Sequence, residues 1–100
     1  MLLSPRLNNS AVGEWPPPGE STPGQLIDGA AAPNGLIAAG FGEGGGGRGV
    51  VLIINSKTMM TMSEIELHDE PRELTLQSGP AGTYLTLSYA GGGVDVWLLL

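Results

Sequence analysis

Cysteine is absent from this chain of 100 residues. That excludes a disulfide framework, a thiolate zinc site and a thiol nucleophile. Charge is also scarce: charged residues are 14% of the chain, about half the usual share. Basic residues are scarcest, with four Lys and Arg against ten Asp and Glu and a net charge of −6. This is the wrong sign for a protein that holds nucleic acid by neutralising phosphates, or one that adheres to an anionic membrane. Long apolar runs are missing too. The longest, Val50 to Ile54 and Trp97 to Leu100, fall far short of the roughly 18–20 residues of a membrane helix. The opening Met1-Leu2-Leu3-Ser4-Pro5-Arg6 lacks the basic-then-apolar order of a secretory signal. The expectation is one small domain without secretion signal, transmembrane segment, nucleic-acid partner or membrane partner.

What the chain does have is Gly and Pro, unevenly placed. Six of the eight Pro and eleven of the 17 Gly lie in residues 1–48. Pro lacks the N–H that helices and ladders need, and Gly loses the most entropy on ordering. The composition predicts an extended arm over residues 1–48, ending in a Gly-rich hinge from Gly42 to Gly47. Within it Trp15-Pro16-Pro17-Pro18 is a stiff polyproline segment. Leu26-Ile27 and Leu36-Ile37-Ala38-Ala39 are each candidates for a short strand or a buried turn.

Residues 49–100 follow different rules. They hold short runs rich in Val, Ile, Leu and Met, separated by turn residues, which is an all-β signature. The runs are Val50–Asn55, Met59–His68, Glu73–Ser78, Thr83–Tyr89 and Val94–Leu100. Ser78-Gly79-Pro80-Ala81-Gly82 and Ala90-Gly91-Gly92-Gly93 supply hairpin turns. No stretch keeps a 3.6-residue period with caps, so almost no helix is expected. The predicted fold is a small antiparallel β-sandwich or barrel of five to seven strands, preceded by the arm.

Two runs are irregular. Met60 and Met62 have the opposite parity to Ile65 and Leu67. Because a strand repeats every two residues, a β-bulge near Ser63 or a crossing between sheets is required. The last run is apolar on both faces: Val94, Val96, Leu98 and Leu100 on one, Trp97 and Leu99 on the other. Such a strand needs cover, from the arm or from another copy.

Candidate chemistry is thin. Gly42, Gly44 and Gly47 match G-x-G-x-x-G, but a strand follows where a phosphate loop needs a helix, so a linker is the better reading. Glu64, Glu66, Asp69, Glu70 and Glu73 hold half of all the acids. Their spacing is not that of a calcium loop, and alternation puts Glu64, Glu66 and His68 on a solvated strand face. His68 is the only His and has no nucleophile pattern beside it. No catalytic, cofactor or metal residue is therefore assigned. Tyr84, on the face opposite Leu85 and Leu87, is a candidate sugar contact.

A core of about 52 residues is marginal alone, and the remedy left is association. Trp97 and Leu99 are the expected contacts, and burying both contributes roughly 3–6 kcal/mol by area transfer. Trp15 with Pro16, Pro17 and Pro18 forms a bulky anchor on a stiff arm, suited to a groove on a neighbour. The partners expected are a second copy, in a homo-oligomer such as a trimer, and a larger protein assembly.

The layout, carried by Glu14-Trp15-Pro16-Pro17-Pro18-Gly19 and Gly82-Thr83-Tyr84-Leu85-Thr86-Leu87-Ser88-Tyr89, resembles small bacteriophage virion proteins of the head decoration (cement) or short head-fibre type. That resemblance implies a non-enzymatic β domain, often trimeric, bound to a capsid by its arm, and located in the virion. A carbohydrate- or receptor-binding β module is the alternative, and a small metal-binding domain the third.

Overall fold

A computed structural model describes residues 6–7, 10–11, 16, 23–42 and 48–99. Its elements are all strands: β1 (Arg6–Leu7), β2 (Ser10–Ala11), β3 (Gln25–Ala31), β4 (Leu36–Gly42), β5 (Gly49–Asn55), β6 (Met60–Leu67), β7 (Pro71–Gly79), β8 (Gly82–Tyr89) and β9 (Val94–Leu99). The expected all-β antiparallel fold is present. β3-β4-β5-β6 form one antiparallel sheet and β7-β8-β9 a second, with β1 and β2 a separate two-stranded pair.

The first sheet begins earlier than the composition suggested. The expected boundary at residue 48 does not coincide with a division in the fold, because residues 25–42 form two strands that pair with each other and with β5. Leu36, Ile37, Ala38 and Ala39 stand opposite Asn55, Ile54, Ile53 and Leu52. Small side chains, more than hydrophobicity, make this possible. Ala38, Ala39 and Gly40 are buried, and a Cβ on Gly40 would stand 2.7 Å from Leu74 Cδ1 on β7. The low-bulk composition that resembled an arm is what lets β4 lie close under the second sheet.

The shared core lies between the sheets. Ala38, Val51, Ile53 and Leu67 from the first meet Leu74, Leu76, Leu85, Leu87 and Tyr89 from the second. Leu85 and Leu87 are fully buried. Every second residue of β8 is buried, with Leu85 and Leu87 on the face opposite Tyr84 as expected. β5 buries both faces, as its unbroken apolar run predicts. Val51 and Ile53 enter the shared core, while Leu52 and Ile54 join Ile37, Ala39, Phe41 and Met59 on the reverse face.

Two polar ties fix the sheets to each other. The β3–β4 hairpin carries Asn34, whose Oδ1 accepts from the Leu36 N–H at 3.3 Å and whose Nδ2 donates to Thr83 Oγ1 on β8 at 2.7 Å. Asp28 Oδ2 accepts the Leu74 N–H at 2.9 Å. Asp28 follows a register shift between Leu26 and Asp28 in β3. Its carboxylate therefore takes up a backbone donor on the outer edge of β7, and the neighbouring edges of the two sheets are closed against each other.

The parity break in the second run is a β-bulge. Ile53 pairs with Ser63 but Ile54 pairs with Thr61, so Met62 is the extra residue. Beyond the bulge Met60 stands opposite Asn55, which brings it to the same side as Ile65 and Leu67.

Replacing Leu87 by Ala is expected to lower stability by about 2–5 kcal/mol through a buried cavity. Replacing Val96 by Thr on the outer face of β9 is expected to cost under about 0.5 kcal/mol. Urea unfolding of the two variants checks the face assignment, and equal losses would contradict it.

Candidate functional site

The reverse face of the first sheet carries an open cavity of about 550 Å³ near Pro23 and the ends of β4 and β5. Phe41, Val50, Arg48, Glu64, Glu66 and His68 are among the residues that line it. Alternation does put Glu64 and Glu66 on one face, opposite Leu52 and Val50, and both are exposed, as is His68. Asp69 of the acidic cluster is used elsewhere. Asp69 Oδ1 accepts the Glu70 N–H at 2.7 Å and its Oδ2 accepts the Gly91 N–H at 3.1 Å. That carboxylate joins the β6–β7 turn to the β8–β9 turn. Among the described residues no group of three or more His, Asp or Glu is placed to hold a metal ion.

The second cluster of polar groups surrounds Tyr89. Its ring is buried against His68, with centroids 4.4 Å apart and planes at 47°. Its hydroxyl donates to Asp95 Oδ2 at 2.5 Å. Burial, then this hydrogen bond, then the negative charges of Asp95 and Asp69 push the phenol up to about 12. The phenol thus stays protonated and serves as a donor. It draws the carboxylate of Asp95 inward, and Asp95 is the one charged residue of β9.

With that charge tethered, the remaining surface of β9 is apolar. Val94 and Val96 are 63% exposed, Leu98 43% and Trp97 39%. The two faces of this strand differ. Trp97 and Leu99 stand opposite Leu85 and Thr83, so they lie on the side that faces the core, where Leu99 packs against its margin. Val94, Val96 and Leu98 stand opposite Ser88, Thr86 and Tyr84 and form an outward row. The contacts assigned from sequence, Trp97 and Leu99, therefore sit on the inner rim. The outward row was visible in the sequence only as the other parity of the same run. Tyr84 is half-buried beside Leu98. Of the expected arm contacts, Pro16 is buried, and Trp15, Pro17 and Pro18 lie outside the described residues.

Among the described residues no helix is long and apolar enough to cross a membrane. Comparison with protein-family models, curated proteins and solved structures gave no match.

The Tyr89–Asp95 bond makes a pH prediction. A tyrosine in the unfolded chain ionises near its ordinary value of 10.0, and Tyr89 in the fold near about 12. Its raised value favours the folded state below about pH 10, and that support is lost as pH rises through about 12. Urea midpoints should fall across this window, and ultraviolet titration should show a tyrosinate step near its upper end. In Tyr89→Phe the corresponding fall should be missing. That variant should also lose about 1–3 kcal/mol at neutral pH, because Asp95 loses its donor.

Proposed function

We propose that this protein is a non-enzymatic structural protein that acts within a larger protein assembly, of the capsid decoration or head-fibre kind that the layout of the chain resembles. The observation that supports this most is the outward row of Val94, Val96 and Leu98 on a small chain of net charge −6. Large apolar side chains set together on an acidic protein suit contact with protein surfaces. The cavity near Glu64 and Glu66 is open and rimmed by exposed side chains, which suits solvent better than a bound substrate. Attachment through the N-terminal residues remains part of the proposal, with Trp15, Pro17 and Pro18 as its anchor; Pro16, buried in the chain itself, is withdrawn from it. Many copies acting together would turn modest single contacts into stable attachment.

A carbohydrate-binding role has less support. Trp97 and Tyr84 lie on opposite faces of the second sheet, so they do not build one stacking platform.

Quantitative mass spectrometry of particles purified from the source of the protein is the test. The expected result is this chain at many copies per particle, resistant to washing in high salt. Recovery wholly in the soluble fraction would overturn the proposal, and a positive glycan array abolished by Tyr84→Ala would replace it.

A further inference from the structure

Each main sheet has two edge strands, β3 and β6 in the first and β7 and β9 in the second. Asp28 on β3 takes up a backbone donor of β7, and β6 and β9 are the edges away from that contact. The two are built differently. β6 carries Glu64 and Glu66 and the Met62 bulge. Charges and bulges are the usual means of keeping strand edges apart. β9, Val-Asp-Val-Trp-Leu-Leu, has an unbroken register with β8, no Pro and no Lys. Its single charge is drawn inward by Tyr89.

The backbone phase of β9 follows from its turn. The Tyr89 N–H donates to the Gly93 carbonyl at 3.1 Å. Antiparallel partners alternate between bonded and non-bonded pairs. Hence Asp95 and Trp97 bond to β8, and the N–H and C=O groups of Val94, Val96 and Leu98 point to the open edge. The residues with outward side chains are thus also those whose backbone groups are available.

We propose that a second copy of this chain fills that edge, β9 pairing antiparallel with β9 about a two-fold axis, with Val96 opposite Val96. This deepens the assembly reading by naming one partner and rests on that reading only for its biological purpose. The second copy is argued from charge and from register. At net −6 two copies repel over most of their surface. Across β8 and β9 the outer face presents Tyr84, Thr86, Ser88, Val94, Val96 and Leu98, none of them charged. Side-chain parity allows self-pairing only about a residue. Centring on Asp95 would set two carboxylates opposite each other, which is unfavourable. Centring on Val96 sets Val94 opposite Leu98 and Asp95 opposite Trp97. It also makes bonded pairs of 94 with 98, 96 with 96 and 98 with 94, so all three open backbone positions are used. The result is one six-stranded sheet, and an isologous pair of this kind closes at two copies. A dimer therefore takes the place of the trimer expected from the resemblance.

The chain has no Cys, so single cysteines report the register in the full-length protein. Bonded antiparallel partners have Cα atoms about 5.5 Å apart, within the range a disulfide spans. Under mild oxidation Val96→Cys should form a disulfide-linked dimer at least about 10-fold faster than Leu98→Cys or Trp97→Cys. Sedimentation velocity should show a dimer for the unaltered chain and a monomer for Val96→Lys, with circular dichroism unchanged. Equal or faster cross-linking at 97 or 98 overturns the register. A monomer at all concentrations, with no preference for position 96, overturns the pairing itself. A monomeric chain recovered at high copy from particles would sink this inference and leave the assembly function standing. A dimer absent from particles would uphold the pairing and sink the function.

Discussion

The constraint on which this structure depends is mutual cover between two small sheets. Neither the three-stranded nor the four-stranded sheet can bury Leu85, Leu87, Val51 and Ile53 by itself, because every one of these side chains needs an opposing layer. The close approach of the layers is set by Gly40 under Leu74. It is held in register by two polar links, Asn34 to Thr83 and Asp28 to the Leu74 backbone. Both links join residues more than 40 positions apart in sequence. They satisfy donors near the core that would otherwise be costly to bury.

Closing the core along the β3–β7 side has a consequence at the far side. The edges nearest each other are tied by Asp28, which leaves β6 and β9 as the outer strands. The first is solvated and irregular. The second is regular and apolar, and the Tyr89 hydroxyl keeps its one carboxylate turned inward. Burial first and this bond second raise the phenol's pKa, and the same bond holds the strand's one charge away from its outer face. It is this combination, more than any pocket, that directs the functional reading toward contacts between proteins.

Much of this was legible from residue order. The period-two alternation of Thr83 to Tyr89 fixes which side chains point together, and β8 shows that pattern residue by residue. The parity conflict between Met60 and Ile65 called for a bulge or a crossing between sheets; the pairing shows the bulge, with Met62 as the extra residue. The apolar run of β5 indicated two buried faces, and both are buried. Less legible were residues 25–42. Gly and Ala there suggest an arm, because neither brings a side chain that can pack much of a pleated surface, and Gly costs the most entropy to order. In the fold those positions are selected for smallness, which matters only once β7 lies above them.

The contact strand shows the same limit. The order Val94 to Leu99 determined that the strand would have two apolar faces and that Trp97 and Leu99 would share one of them. Alternation is a local property of an extended backbone, so no tertiary information was needed. Which face would look inward was decided only by the pairing of Trp97 with Leu85 and of Val96 with Thr86. Burial belongs to a side chain and the layer opposite it together, and that layer comes from distant parts of the chain.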